Sequence, residues 1–451
     1  MTDLPFLRRA AREIFKEALE SVDAGQAVRR AVRLEETRLT LLDTTLELSS
    51  HPAGLYAVAI GKAARPMASA LSDILGEQLA AGVVAAPPAT QAQTSSLSDR
   101  WRVFEGGHPL PNSASLEAGR AAFELLRRAE SARAPVIFLI SGGGSAMMEW
   151  PRSEETTLEE LRAMNGALVS CGVSIAEINC VRRAVSAVKG GGLARLAPHC
   201  DQVTLIVSDT NAGEAQIVAS GPTFDYPFDA SEAQSIVSRY NLHEALPESI
   251  LRAIRRPFEI TETPPAQGLR EHYVLLENAY ALRSAERAAR SLGFTTEIAR
   301  EVVEQEVAEG CSMLLSKLLD ASRRTNGAGR GVCLISGGEF ACPVRGAGVG
   351  GRNCESTLRW AIELDALRKD ALGFSHAVAL SAGTDGVDGN SPAAGAVCDE
   401  TTVERARQLE LNASSFLNES DAYTFFRALN DAIITGPTGT NVRDLRIMLA
   451  S

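Results

Sequence analysis

The sequence predicts an α/β protein of two Rossmann-like domains, with mostly parallel sheets and an active-site cleft between the domains. Three observations carry this. Short, continuously apolar runs alternate with amphipathic helical stretches from end to end. One aperiodic stretch rich in proline, glycine and charge, RRPFEITETPPAQGLREH at 255–272, interrupts the alternation. The carboxyl ends of several apolar runs carry glycines, hydroxyls and charges, where open α/β sheets gather their ligands.

Taken in order, MTDLPFLRRAAREIFKEALESVD places Leu7, Ile14, Phe15 and Leu19 at helical spacing with charges throughout. That pattern is an amphipathic surface helix and not a signal peptide. Strands are expected at LYAVAI (55–60), GVVAA (82–86), VIFLIS (136–141), VTLIVSD (203–209), YVLLE (273–277), GVCLISG (331–337), AVALSAG (377–383) and AIITG (432–436). Most are apolar without a break, as parallel strands covered on both faces must be. Helices such as AYALRSAERAARSLG (279–293) lie between them. The 255–272 stretch sets the expected domains at 1–250 and 270–451.

The 451 residues suit two or three domains, and 45% hydrophobic with 22% charged residues is globular composition. A formal net charge of −11 argues against nucleic acid as a main partner. Anionic small molecules remain open, because they answer to the local field of a cleft. The eight cysteines form no C-x-x-C pair and no zinc-like set, so a reduced, cytoplasmic setting is expected. No run of about 18 apolar residues occurs, and no membrane partner is expected. A homodimer is compatible with the sequence.

The loaded strand ends are IGKA (60–63), SGGGS (141–145), SDTNAGE (208–214), SGGE (336–339), AGTDGVDG (382–389) and TGPTGTN (435–441). In SGGGS, Gly142, Gly143 and Gly144 let backbone amides approach an anion, and Ser141 and Ser145 add hydroxyls. Lys62 follows an apolar strand and precedes a helix, where an ammonium can point into a cleft. Asp209, Glu214, Glu339, Asp385 and Asp388 form the acidic side. Such carboxylates can hold Mg²⁺ beside substrate phosphates or take a proton from a hydroxyl. Asp388, in DGVDGN, is the one best suited to turn formation or helix capping instead. Arg182, Arg183 and Lys189 cluster in INCVRRAVSAVKGGG, where Lys189 stands beside another glycine turn.

RGAGVGGRN at 345–353 matches G-x-G-x-x-G through Gly346, Gly348 and Gly351. A dinucleotide fingerprint also needs an acidic residue about 20 positions on, at the end of the next strand. Here the first acid after that strand is Asp385, well beyond that distance. Arg345 and Arg352 bracket the glycines and suit a phosphoryl group or carboxylate better than a ribose. Ala63 stands where a Walker A lysine would be followed by Ser or Thr, and G-x-S-x-G is absent.

Taken together, AIGKAA, GGHPLPNSASLEAGR, LISGGGSA, INCVRRAVSAVKGG, VSDTNAGEAQIVASGPT, ISGGE, RGAGVGGRN, AGTDGVDG and TGPTGTNV resemble the class II glycerate 2-kinases. The C-terminal half of that family is often called the MOFRL domain, and the resemblance runs from about residue 54 to 445. It implies a two-domain kinase that moves the γ-phosphoryl of ATP, with a divalent metal, to the C2 hydroxyl of D-glycerate. The family's functional lysine falls on Lys62 and its functional arginine on Arg352. The implied site adds Asp209 as a catalytic group, and Asp209 with Asp385 as Mg²⁺ ligands. Ser141, Gly142, Gly143, Gly144, Ser145, Lys189, Gly338, Glu339, Asn353 and Thr384 are expected to bind substrate or nucleotide. The chain departs from the family pattern at Glu214, at Phe340-Ala341, at Cys354, at Asn390-Ser391-Pro392 and at Glu277. These departures bear on the acceptor, so a related small hydroxy acid is a second expectation. An NAD(P)H-dependent hydroxypyruvate reductase is a third, and a binder without turnover a fourth.

Overall fold

The computed structural model describes residues 3–89, 97–226, 230–256, 267–325, 329–368 and 375–451. Of the interdomain stretch expected at 255–272, positions 257–266 lie outside the described residues. The chain forms two units, residues 24–276 and residues 1–23 with 277–451.

The 24–276 unit opens with an antiparallel sheet of β1 (Val32–Glu35), β2 (Arg38–Leu41) and β3 (Thr44–Glu47). Its main sheet holds β4 (Leu55–Ile60), β5 (Leu79–Ala86), β6 (Trp101–Glu105), β7 (Val136–Ser141), β8 (Gln202–Val207) and β9 (Arg270–Leu276). All of its pairings are parallel, in the order β6-β5-β4-β7-β8-β9. Every residue of β4, β7 and β8 is buried, which is why these strands read as unbroken apolar runs. Val58, Phe138 and Ile206 share one core with Ala118, Ala122 and Leu126 of helix Ser113–Ala132. That helix starts sharply because Asn112 accepts the Ser115 amide and Ser115 returns a bond to the Asn112 amide. The chain runs outward from β4 to β5 and β6, then returns to β7 on the other side of β4. The carboxyl ends of β4 and β7 therefore flank a topological switch point, where doubly wound sheets open a crevice.

The second unit has a sheet of β10 (Thr295–Ile298), β11 (Val332–Gly338), β12 (Ala377–Gly383), β13 (Gly395–Asp399), β14 (Ala432–Ile433) and β15 (Asp444–Ala450). The order is β10-β11-β15-β12-β13-β14. Only β10 and β11 pair in parallel; the other pairings are antiparallel. The α/β class therefore holds, while this sheet is mixed and departs from the expected parallel arrangement. β15, which was not among the expected strands, lies between β11 and β12 and is antiparallel to both, and β13 is antiparallel to β12 and to β14. An unbroken apolar run reports cover on both faces and says nothing about strand direction. Among the described residues, no helix is long and apolar enough to cross a membrane.

The observed units depart from the expected 1–250 and 270–451 at both ends of the first: β9 joins its sheet, and the other unit takes in the amino-terminal helix, Leu4–Ser21. Its stripe of Leu7, Ala11, Ile14, Phe15 and Ala18 packs on Leu282, Ala285 and Ala289 of helix Asn278–Ser291 and on Val378 and Leu380 of β12. Arg8 pairs with Asp399 and Asp431 of the same unit. Helical periodicity shows that a face is apolar but not which surface covers it.

Candidate active site

In the 24–276 unit, the switch point is built from the loops that follow β4 and β7. Gly61 has a φ of +111°, and a Cβ there would lie 2.3 Å from the Ser141 carbonyl oxygen, so only glycine fits. The two loops are stitched together. Lys62 N donates to the Gly142 carbonyl at 2.9 Å, Ala63 N donates to Ser141 Oγ at 3.0 Å, and Ser141 Oγ donates to the Ile60 carbonyl at 3.1 Å. Lys62 thereby has a fixed backbone and a half-buried side chain. A Cβ on Gly143 (φ +79°) would stand 3.3 Å from the Lys62 Cγ and 3.2 Å from the His108 ring, so the lysine stem passes close by this glycine.

Ser141 is buried with both functions of its hydroxyl in use, so it shapes the loop and does not face a ligand. Ser145 Oγ is bonded to Ser220 Oγ at 2.8 Å, and Ser220 donates to Asn179 Oδ1 at 2.9 Å. Asp209 lies two residues beyond the end of β8 and is half-buried.

Lys189 corrects an expectation. Its side chain is 1% exposed and its ammonium pairs with the buried carboxylate of Glu149, which also accepts from Ser186 Oγ. Burial lowers the lysine pKa and the Glu149 charge opposes that shift. An ammonium so enclosed holds the fold and does not reach a ligand. The missed partner, Glu149, carries no motif of its own; only folding brings it to Lys189.

In the second unit, Gly338 (φ +80°) ends β11, and a Cβ there would meet Val303 at 2.3 Å. Glu339 follows and pairs with Arg352 at 2.7 Å. Arg352 is the first residue of helix Arg352–Arg368. Its Nε and Nη2 donate to the two oxygens of Asp444, at 2.6 and 3.1 Å. Burial alone would lower the arginine pKa, but the Asp444 and Glu339 carboxylates outweigh it and raise it. Arg352 remains cationic.

Two further expectations are corrected here. Asn353 is buried, donates to Asp444 at 3.0 Å and accepts from Ser381 Oγ at 2.6 Å. Thr384 is buried, donates to the Arg443 carbonyl at 2.7 Å and accepts the Val442 amide at 2.9 Å. Both tie loops together. Asp388 behaves as the turn-and-cap reading expected: its oxygens accept the Asn353 and Cys354 amides at the start of the 352–368 helix. Burial pushes its pKa up to about 6 against those bonds. Asp385 stays half-buried, with Oδ1 accepting the Val387 amide at 3.1 Å.

The glycines of the G-x-G-x-x-G match are packing devices. A Cβ on Gly346 would meet Glu419 at 2.6 Å, one on Gly348 would meet Glu419 and Asp421 at 2.5 Å, and one on Gly351 would meet Asp388 at 2.4 Å. They let the loop lie against residues 388–389 and 419–421. A cleft of about 360 Å³ opens there, lined by Gly348, Gly350, Arg352, Phe340 and Asn390 among others. The departures at Phe340 and Cys354 fall on buried side chains, and the Phe340 ring lies 3.5 Å from the Arg446 guanidinium. Among the described residues, no group of three or more His, Cys, Asp or Glu is placed to hold a metal ion.

The fold and these loops define an α/β protein that presents cations at glycine-rich strand ends. Residues 10–255 match a family described as a domain of unknown function, DUF4147, and residues 332–444 match the MOFRL family. The chain is 32% identical over 450 residues to the D-glycerate 2-kinase of Thermotoga maritima, covering all of both chains. It is 33% identical over 435 residues to a putative hydroxypyruvate reductase of Agrobacterium vitis, covering 95% of each. A crystal structure of glycerate kinase from Thermotoga maritima superposes with a TM-score of 0.79 at 31% identity, over 99% of each chain. The chain belongs to the glycerate 2-kinase family.

Proposed function

We infer that this protein is an ATP-dependent kinase that phosphorylates D-glycerate at its C2 hydroxyl, giving 2-phosphoglycerate. The observation that carries this reading is Lys62, set by the Gly61 turn and the Ser141 stitch at the switch point of a parallel sheet. Phosphoryl transfer asks the protein chiefly for positioning and charge stabilisation. Lys62 is assigned to the charge on the transferring phosphoryl group. Arg352 is assigned to a phosphate or to the substrate carboxylate, as a charge-assisted donor. Gly142, Gly143, Gly144, Ser145, Gly338 and Glu339 are assigned to substrate or nucleotide.

ATP brings Mg²⁺ with it, and Mg²⁺ needs only one or two protein carboxylates beside phosphate oxygens and water. Asp209 in the 24–276 unit and Asp385 in the other are half-buried oxygen donors at strand ends; each taken by itself fits that requirement chemically and would serve as a ligand. The ion would supply charge neutralisation on the phosphates. Asp209 is also assigned the proton of the acceptor hydroxyl.

A screen of small hydroxy acids that reads ADP release, with ³¹P assignment of the product, tests the function. D-glycerate is expected to give the largest ADP release and a phosphorus signal coupled to the C2 proton. Another hydroxy acid turning over faster would move the acceptor. NADH-dependent reduction of hydroxypyruvate without ADP release would overturn the kinase.

A further inference from the structure

Arg352 is held by two carboxylates that differ in kind. Glu339 is a third exposed, whereas Asp444, the first residue of β15, is fully buried. Asp444 turns both oxygens to the arginine, at 2.6 and 3.1 Å. Its Oδ1 also accepts from Asn353 Nδ2 at 3.0 Å, and its Oδ2 lies 3.6 Å from Arg446 Nη2. Arg446 is itself buried. It stacks on Phe340 and donates to the Gly337 carbonyl. The carboxylate is thus gripped from its own sheet and from the 352–368 helix.

We propose that Asp444 is the positioning residue for Arg352: it locks the Nε–Nη2 edge of the guanidinium and leaves Nη1 to meet an incoming anion. The inference rests on the reading that Arg352 contacts a phosphate or the substrate carboxylate. A guanidinium on a long stem samples many rotamers unless its own edge is held, and a reacting group must be held closely to act. Nη1 takes part in none of these contacts, and the side chain is 34% exposed. A carboxylate serving only to neutralise Arg446 would pair most closely with Arg446. Here the closer pair is with the arginine that reaches solvent. Burial would raise the Asp444 pKa, but the charge and hydrogen bonds of Arg352, with help from Arg446, hold it below its ordinary value. Asp444 is therefore an anion at neutral pH.

The test is chemical rescue in the full chain. Arg352→Ala should lose turnover and regain part of it when guanidinium ion is added, because Asp444 seats the free cation. In Arg352→Ala/Asp444→Asn the rescue should vanish. Asp444→Asn alone should lower kcat/KM by about 100-fold, the scale of a misplaced reacting group. Should that variant fail to fold, Asp444→Glu keeps the charge beside Arg446 while its longer stem displaces the guanidinium, and the same loss is expected. Equal rescue with and without Asp444, or normal turnover in a folded Asp444→Asn or Asp444→Glu variant, would overturn the proposal. Full turnover in Arg352→Ala without any additive would instead remove Arg352 from the chemistry, and the positioning role with it.

Discussion

Ser141, the last residue of β7, accepts the amide of Ala63 in the loop beyond β4 and donates to the carbonyl of Ile60. One hydroxyl therefore joins the two strand ends that flank the switch point, and Lys62 lies inside the loop it fixes.

Ser141→Ala removes both bonds and leaves the buried Ala63 amide without its partner. A stability loss of about 1–3 kcal/mol is expected, the usual cost of an orphaned buried group. Urea unfolding measures it. Turnover should fall as well, because the Lys62 loop loosens. Unchanged stability would mean that the stitch is replaced by another bond.

Lys62→Ala should leave the fold intact, because the side chain is not part of the buried core. ADP release should drop by about 1000-fold, the scale of removing one donor that stabilises charge in the transition state. Near-normal turnover with an unchanged melting curve would take Lys62 out of the mechanism.

Lys189 should behave in the opposite way. Lys189→Met leaves Glu149 buried without its counter-charge, and about 3–5 kcal/mol of stability should go. Lys189→Met/Glu149→Leu should recover most of that loss. The KM for glycerate in the double variant should stay near that of the parent, and a large rise would return Lys189 to the binding residues.

Asp388 gives a pH dependence whose sign can be worked out. Its pKa is about 6 in the folded chain, against an ordinary value near 3.8. Between these values the native state binds the proton and the unfolded chain does not. Its contribution to stability therefore falls as pH rises from about 4 to about 6, by up to about 3 kcal/mol. Above that range the loss is complete. Thermal melts from pH 4 to 8 on the parent and on Asp388→Asn should show this slope in the parent alone. Parallel curves would place the proton elsewhere.

Much was legible in the sequence because burial leaves a mark on composition. The strands at 55–60, 136–141 and 377–383 read correctly, since a strand covered on both faces must be apolar throughout. That Asp388 serves a turn or a cap was legible from its residue type and its DGVDGN setting, although which helix it caps was not, since that helix begins at Arg352, 36 residues earlier in the chain. β15 was not among the expected strands, and the resting place of the first helix was not legible either. An apolar run carries no sign of its partner. The same limit hid the ion pairs. Lys189 and Arg352 are both cations beside glycine turns in the sequence, yet one is sealed against Glu149 and the other reaches solvent from the grip of Asp444. The partners stand 40 and 92 residues away along the chain. The sequence by itself determined the α/β class, the glycine-rich strand ends and the family. Which charges are structural and which are left to meet a ligand was decided by tertiary folding, because the strength of an ion pair depends on the distance and burial that only the packed chain sets.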